Sequence, residues 1–301
     1  MSTSDPIGWP NKRRDVLNHH QDSRNWDLIA PREGDIVAAN WAKAGITWLQ
    51  QILVQLVPDG SGDASVLERV IWPDWWSVPK DAIGGWVGAA PSPRIFKTHL
   101  PADSLNLSPL PRYIYIGRDA RDVVWSLYPH LRNYSQSLID AVNSAPHRDW
   151  AEDWAPPTTG IRQFYLDWLA RDGWPYWPFW PHVKSWWEVR HLPNVLLVHH
   201  AALKRDLDRE ARRIAGFLGI APDAAAWARI LEHCSFGWMK GHAERLVYPD
   251  SFKDLGAFMN RGENGRWRDV LSADEIALCD EIALKELGPE CARWLATGEE
   301  A

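Results

Sequence analysis

The stretch GDIVAANWAKAGITWLQ, residues 34–50, decides the fold of this chain. The apolar run Ile36–Ala39 is typical of a buried strand in a parallel sheet. A turn follows over residues 40–46, and apolar side chains then recur at helical spacing over residues 47–56. A strand, a tight loop with one lysine and a helix start together present backbone N–H groups and a cation to an anion.

The lysine of this loop does not stand where a Walker A motif has it. That motif puts the lysine directly after its second glycine, whereas Lys43 precedes Gly45 by two positions. Two interpretations therefore stay open on this stretch alone: an anion-binding loop of another kind, or a plain strand-to-helix connection with an incidental lysine.

Length, charge and cysteine content limit the class of protein. The 301 residues are 46% hydrophobic, enough for a sizeable core in one α/β domain or in two small ones. The net charge of −6 gives no overall attraction to nucleic acid or to an acidic membrane, so an anion site must be local. The three cysteines lack metal-ligand spacing, and no apolar run is long enough to cross a membrane. We expect a soluble, cytoplasmic protein without a signal peptide, metal site, nucleic-acid partner or membrane partner.

Tryptophan is unusually frequent, with 21 residues against 7 phenylalanines. The tryptophans cluster in residues 72–86 and 174–187. Most are expected to fill the core, and a few to line an aromatic pocket for an organic substrate.

Two further strands are expected to end in charged side chains. In the run PRIFKTHLP, residues 93–101, Lys97 and His99 lie two apart and so point to the same side of a strand. The histidine could accept a proton there and the lysine could stabilise developing negative charge. The alternative is a solvated strand end.

The run RYIYIGRDARDVVWSL repeats the strand-to-helix pattern, with Arg118 just past an apolar strand and Asp119 able to cap the next helix. Ser126 follows eight residues after Arg118. Because ligands bind at the carboxyl ends of strands in open α/β sheets, we expect Lys43 and Arg118 at one edge. The alternative for Arg118 is an ion pair with Asp119 or Asp122.

The remaining stretches contribute weaker signals. A third buried strand is expected at residues 195–198, and residues 258–268 form a glycine-containing loop with three arginines, either an anion site or a solvated turn. Residues 1–30 are interpreted as an N-terminal arm, and residues 72–92 and 172–181 as irregular structure. Residues 141–160 and 241–257 are interpreted as mobile loops at the substrate site.

Four segments in order, WAKAGITW, PRIFKTHLP, YIGRDARDVVWS and FMNRGENGRWRD, resemble the cytosolic-type sulfotransferases that use 3′-phosphoadenosine 5′-phosphosulfate (PAPS). The resemblance runs from about residue 34 to about residue 272. It implies that residues 1–301 form a single α/β domain: a central, mostly parallel sheet flanked by helices, in a P-loop-like sulfotransferase fold.

The resemblance also implies a role for each matching residue. His99 corresponds to the catalytic base and Lys97 to a second cation near the sulfuryl group, whereas Arg118 and Ser126 correspond to residues that hold the 3′-phosphate. The loop around the 5′-phosphosulfate, with Lys43 on the bridging oxygen, comprises Lys43, Ala44, Gly45, Ile46, Thr47 and Trp48. The remaining donor contacts, to the 3′-phosphate or near the adenine, fall on Asn260, Arg261, Gly262, His200, Ser235 and Phe236.

Several positions depart from the family pattern. Asn260 replaces an arginine of the 3′-phosphate clamp, His200 stands where a tyrosine is frequent, and Ala44 and Ile46 remove two hydroxyls from the phosphate loop. The dimer motif of the animal members is not reproduced near residues 268–277, so that dimer is not carried over and the oligomeric state stays open.

The expected activity is transfer of the sulfuryl group from PAPS to a hydroxyl of a small, aromatic or hydrophobic acceptor, without a metal. Adenosine 3′,5′-bisphosphate (PAP) is the other product. Two alternatives use the same donor site: a module that binds PAPS or PAP without catalysis, and a dehydratase in which sulfation drives elimination. A nucleoside kinase is disfavoured because no Walker A motif is present.

Overall fold

The computed structural model describes residues 9–57, 64–147 and 153–299. Within these residues, five parallel strands form one sheet in the order β2-β3-β1-β4-β5. The strands are β1 (Ile36–Ala39), β2 (Val70–Ile71), β3 (Ile95–Thr98), β4 (Arg112–Gly117) and β5 (Val195–His199). The parallel α/β fold expected from the sequence is therefore confirmed, with the two-residue β2 as an addition.

Helices cover both faces of the sheet. They are α1 (Ile46–Leu56), α2 (Val66–Arg69), α3 (Lys80–Ala89), α4 (Ala120–Arg132), α5 (Gln136–Asn143), α6 (Ile161–Ala170), α7 (Phe179–Glu188), α8 (His200–Arg205), α9 (Leu207–Leu218), α10 (Ala224–His233), α11 (Phe236–Gly241), α12 (Ala273–Leu287) and α13 (Pro289–Thr297). Side chains that alternate along β1 belong to two separate apolar clusters, with Val37 in one and Ile36 in the other. The sheet is thus buried on both sides, as its continuous apolar strands require.

Strand register sets the position of every loop at the carboxyl edge of the sheet. Ala39, the last residue of β1, pairs with Thr98 on β3 and with Tyr115 on β4. Because parallel strands in this register end close together, the residues that follow them emerge side by side. His99 follows β3 directly, and Arg118 follows β4 directly.

Two expectations about irregular structure were wrong. Residues 72–92 contain the helix Lys80–Ala89, and the stretch 172–181 contains the start of α7 at Phe179. The carboxylate of Asp172 accepts hydrogen bonds from the backbone N–H groups of Phe179 and Trp180 at 2.8 and 3.0 Å. It therefore supplies the acceptor that the first turn needs, seven residues away in sequence.

The segment before β1 is fixed to β3 by a buried ion pair. The guanidinium of Arg94 donates from Nε to Asp35 Oδ1 at 2.7 Å and from Nη2 to Asp35 Oδ2 at 2.5 Å. The two side chains are only 2% and 3% exposed. Backbone hydrogen bonds from Ile36 N to Arg94 O and from Arg112 N to Asp35 O continue this connection into β1 and β4.

We expect Asp35→Ala to lower the free energy of unfolding by about 3–5 kcal/mol, because it leaves the Arg94 charge buried and unpaired. Urea unfolding followed by circular dichroism measures this change. The matched control is Arg14→Ala, which breaks the exposed pair between Arg14 and Asp103 and should cost no more than about 1 kcal/mol. Equal losses in the two variants would contradict a role for the buried pair in fixing the strands.

Candidate active site

The loop between β1 and α1 has the geometry of an anion site. Helix α1 starts at Ile46, and its N-cap, Gly45, has no side chain to accept a hydrogen bond from the first turn. The N–H groups of the first turn have no partner inside a helix, and the positive end of the helix dipole lies at the same point. The first turn, with Ile46 and Thr47, is therefore suited to hold a phosphate or sulfate.

Both the backbone conformation at residue 45 and the small space around it require glycine. Its φ angle is +120°, which residues with a Cβ rarely adopt. A Cβ at this position would lie 2.9 Å from Ile116 Cδ1 and 3.0 Å from His200 Cδ2. The loop can therefore fold tightly against β4 and α8 only because this residue is glycine.

Lys43 occupies a strained and desolvated position in this loop. Its φ is +66°, unusual for a residue other than glycine, and such strain is often found at functional sites. Its amine lies 4.8 Å from the ring centroid of Phe258. Burial, with the nearby charges of Arg118 and Lys97, lowers the pKa of Lys43 to about 7. A bound anion would compensate for this desolvation and stabilise the charged form.

His99 and Lys97 extend from β3 toward the same space. The Lys97 amine lies 3.7 Å from the ring centroid of Trp72, and burial lowers its pKa to about 8 against the opposing influence of Asp74. His99 Nδ1 lies 3.2 Å from the backbone oxygen of Asn40. A carbonyl oxygen can only accept, so Nδ1 carries the proton and Nε2 carries the lone pair.

Burial, together with the charge of Lys97, lowers the pKa of His99 well below its ordinary value. The imidazole is therefore neutral near pH 7 and able to accept a proton at Nε2. The backbone N–H of His99 donates to Asp74 Oδ2 at 3.2 Å, and the same carboxylate oxygen accepts from Trp72 Nε1 at 3.1 Å. Asp74 thus connects the histidine to the indole that packs against Lys97.

Arg118 joins the first loop to a distant one. Its Nη1 donates to the backbone oxygen of Lys43 at 3.3 Å, and its Nη2 donates to Asn264 Oδ1 at 2.8 Å. The side chain is buried, and Nε has no hydrogen-bond partner among the described residues. Neither Asp119 nor Asp122 forms the ion pair that the sequence left open, since Asp119 instead pairs with Arg121 at 2.7 Å.

The loop over residues 260–266 is held beside Arg118. Gly265 N donates to Asp122 Oδ1 at 2.7 Å. Pro129, inside α4, has no N–H to donate to the oxygen of Trp125, and Arg266 Nη2 donates to that oxygen instead, at 3.0 Å. The position of Arg266 could not be predicted from its own segment, because the vacant acceptor is created by Pro129 in α4.

The other residues expected at the donor site lie around this loop. The ring of Phe236 covers Gly262, whose added Cβ would lie 2.7 Å from it, and Gly262 O accepts from Lys204 Nζ. Lys240 Nζ lies 3.4 Å from Asn260 O, and Arg261 is exposed. Ser235 caps α11 by accepting from Trp238 N, so its hydroxyl has a structural role.

His200 and Ser126 are the last of the residues that were expected at the donor site. The ring of His200 packs edge-on to Trp48, with centroids 5.5 Å apart. Ser126 is half-buried on α4, two turns after the N-cap Asp119. Direct contacts thus join Arg118 to Lys43 and Asn264, and Phe236 to Gly262. Lys97 and His99 line one cavity together with Lys43.

A cavity of about 350 Å³ opens beside Lys43, Lys97 and His99. Its wall is mainly aromatic and aliphatic and includes Trp72, Trp75, Trp86, Tyr134, Tyr176, Trp177, Phe252 and Phe258. The wall includes residues from the tryptophan-rich stretches 72–86 and 174–187 and from the loop 241–257, as expected. No residue from the described parts of 141–160 lines it, and residues 148–152 lie outside the described residues.

Two histidines in this wall were missed by the sequence reasoning. His20, from the N-terminal arm, and His130, from α4, both line the cavity. Neither belongs to a recognisable motif, and only the fold brings them to His99. Among the described residues, no group of three or more histidine, cysteine, aspartate or glutamate side chains is arranged to hold a metal ion, and no helix is long and apolar enough to cross a membrane.

A five-stranded parallel sheet covered by helices, with a tight loop that carries Lys43 and Gly45 between β1 and α1, is the P-loop-like α/β architecture. The sequence matches the profile of the family described as "Sulfotransferase domain" over residues 33–289. The chain belongs to this family. The expected class of enzyme, a sulfotransferase, is thereby confirmed.

Similar sequences agree with this assignment. Sulfotransferase 1B1 of Mus musculus is 30% identical over 278 residues, which cover 87% of each chain. A glycolipid sulfotransferase of Mycobacterium bovis is 27% identical over 283 residues, 84% of this chain and 85% of that protein.

Solved structures share the fold. Mouse sulfotransferase SULT7A1, complexed with PAP, matches with a TM-score of 0.67 at 21% identity, over 91% of this chain and 92% of that one. Retinol dehydratase, in complex with retinol and PAP, matches with a TM-score of 0.65 at 19% identity, over 88% of this chain and 84% of that one.

The lowered pKa of Lys43 generates a test with inorganic sulfate. Sulfate favours the protonated amine, so above a pKa of about 7 binding must be accompanied by proton uptake and should weaken as pH rises. We expect the Kd to increase several-fold between about pH 6.5 and about pH 8.5, measured by calorimetry in buffers of different ionisation enthalpy.

Lys43→Met should bind sulfate more weakly and lose the part of this pH dependence that Lys43 supplies, whereas Lys97, with a pKa lowered to about 8, still titrates in this range. The matched control is Lys285→Met, which removes a lysine whose side chain is 81% exposed and should leave the profile unchanged. A sulfate affinity that stays constant over this pH range in the parent protein would be inconsistent with a desolvated Lys43.

Proposed function

We propose that this enzyme transfers the sulfuryl group of PAPS to a hydroxyl of a small aromatic or hydrophobic acceptor, with His99 as the general base. The observation that carries this proposal is the lone pair on His99 Nε2, set by the contact of Nδ1 with the backbone oxygen of Asn40 at 3.2 Å. The same cavity wall contains Lys43 and Lys97.

The donor would bind across the two loops that Arg118 connects. The first turn of α1 and Lys43 would hold the 5′-phosphosulfate, since both offer positive charge to an anion. Arg118, Ser126 and the loop Asn260, Arg261, Gly262 would hold the 3′-phosphate, and Trp48, His200, Ser235 and Phe236 would surround the adenine. The PAP complexes of mouse SULT7A1 and retinol dehydratase support this donor class for a shared fold.

The chemical step would use the acceptor hydroxyl as nucleophile. Its oxygen forms a bond to sulfur as the bond from sulfur to the phosphate oxygen breaks, and its proton passes to His99 Nε2. Negative charge develops on the leaving phosphate oxygen, where the Lys43 ammonium and the loop N–H groups would stabilise it. Lys97 would offset charge on the sulfuryl oxygens.

The acceptor class is inferred from the cavity wall. Aromatic side chains such as Trp72, Trp75 and Trp177 favour a flat, apolar molecule over a sugar or a peptide. Retinol and androsterone, bound by retinol dehydratase, are apolar alcohols and support an acceptor of this kind. We also infer a reducing, cytoplasmic environment, supported by the free cysteines Cys234, Cys279 and Cys291.

We expect His99→Ala to lower the turnover number by at least about a hundredfold, because it removes the proton acceptor. Transfer of labelled sulfate from PAPS to 2-naphthol measures this loss. The same variant should still show an increase in melting temperature when PAP is added, since the residues proposed to hold the nucleotide are intact. A fully active His99→Ala enzyme would refute the assignment of the base.

We expect Arg118→Met to raise the Kd for PAP by about tenfold or more, because a buried charge-assisted contact to the nucleotide is lost. Calorimetry with PAP measures the Kd. Arg205→Met, a change at an exposed arginine on α8, is the matched control and should retain the parent affinity. If Arg118→Met binds PAP as tightly as the parent, Arg118 does not hold the nucleotide.

A further inference from the structure

The wall of the aromatic cavity contains polar side chains that have no role in the proposed chemistry. Besides His99, its wall includes the imidazoles of His20 and His130. The Nδ1 atoms of both are buried and have no hydrogen-bond partner among the described residues. Because both rings line the cavity wall, a ligand in the cavity can form a hydrogen bond with the part of each imidazole that it reaches.

His20 is held in place firmly enough to act as a recognition residue. Asn18 Oδ1 accepts from the backbone N–H groups of His20 and Gln21 at 2.8 and 2.9 Å, and His20 O accepts from Trp76 N at 3.1 Å. The residue is only 6% exposed. The backbone of the arm is therefore attached to the segment that follows β2, and the imidazole has a fixed position.

The surroundings of His20 are aromatic and close to the proposed base. Its ring centroid lies 4.8 Å from that of Tyr176, 5.3 Å from that of Trp75 and 5.9 Å from that of Trp177. The same Trp177 ring lies 5.7 Å from the ring of His99. A flat molecule that contacts Trp177 can therefore reach the base with one group and His20 with another.

His130 supplies a second imidazole from a different element. Its ring packs against Tyr134 and Phe252, with centroids 5.1 and 5.3 Å apart, and α4 carries it into the same cavity. Burial lowers the pKa of both His20 and His130 well below the ordinary value. Both imidazoles are therefore neutral near pH 7, and each carries one donor nitrogen and one acceptor nitrogen, which suits an uncharged partner.

We propose that the acceptor is an aromatic molecule with a second, uncharged hydrogen-bonding group besides the reacting hydroxyl, and that His20, with His130 beside it, binds this second group. This inference rests on the proposed function, because it identifies the cavity as the acceptor site. His20 and His130 would act as specificity residues: they hold the far side of the acceptor while its first hydroxyl faces His99. A simple phenol would leave both imidazoles without a partner and would bind more weakly.

The test compares 2,7-dihydroxynaphthalene with 2-naphthol, which differ by one hydroxyl. Binding to the full-length protein with PAP bound is followed by quenching of tryptophan fluorescence, and turnover with PAPS is measured separately. We expect the diol to bind about threefold to tenfold more tightly than 2-naphthol, beyond the statistical advantage of its two equivalent hydroxyls, as one neutral hydrogen bond allows.

His20→Phe keeps an aromatic ring but removes both nitrogens, so the preference for the diol should fall to the statistical value. His20→Gln retains a donor and an acceptor and should keep part of the preference. His191→Phe, at an exposed histidine outside the cavity, is the matched control and should keep all of it. If circular dichroism shows that His20→Phe does not fold, His130→Phe is used instead. Loss of the preference for the diol in His130→Phe supports the inference, and a retained preference overturns it.

A parent protein without preference for the diol overturns the inference, and so does a preference that survives in His20→Phe. If PAP and the diol both bind but neither compound accepts sulfate from PAPS, the proposed function is refuted instead. Because the binding ratio is measured without turnover, the two failures are distinguishable.

Discussion

The parallel pairing of β1 with β3 and β4 is the constraint on which the site depends. The register that aligns Ala39 with Thr98 and Tyr115 brings three strand ends to one edge, and each end is followed directly by a segment of the proposed site. The site is thus assembled by backbone hydrogen bonds of the sheet, with the Asp35–Arg94 pair fixing the opposite ends of the same strands. A shift of one strand by one residue would separate His99 from the Lys43 loop and turn its side chains to the other face.

Three cationic side chains lie near this edge of the sheet and are partly or largely buried. Burial lowers the pKa values of Lys43, Lys97 and Arg118, the last to about 10. Desolvation is the main cause of these shifts, with like charges adding to it at Lys43 and Arg118, and an anion that binds among these groups would offset the cost. A site of this kind discriminates by charge: it favours a polyanionic nucleotide, whereas the neighbouring aromatic cavity favours an uncharged molecule. The neutral His99 lies at the boundary between the two.

Strands β1, β3, β4 and β5 and the positions of Lys43, His99 and Arg118 at strand ends could be predicted because they are encoded locally. A short apolar run followed by one charged residue predicts both a strand and what lies at its end. Helix α3 and the start of α7 could not be predicted this way. Gly84 and Gly85 weaken the helical signal of α3, and the first turn of α7 depends on Asp172, which is distant in sequence. His20 and His130 carried no motif at all, since only tertiary packing brings the arm and α4 to one cavity.

Asn260 stands where the family resemblance implies an arginine, and the structure places other cations beside this loop. Lys240 donates to the oxygen of Asn260 itself, and Lys204 donates to that of Gly262, so two ammonium groups lie against this loop. Arg266, from the same loop, donates to the oxygen of Trp125 on α4, which Pro129 leaves without its helical donor. The cations held directly against residues 260–262 therefore come from α8 and α11. Charge at an anion site is a property of the space around the ligand, and different segments of the chain can supply it.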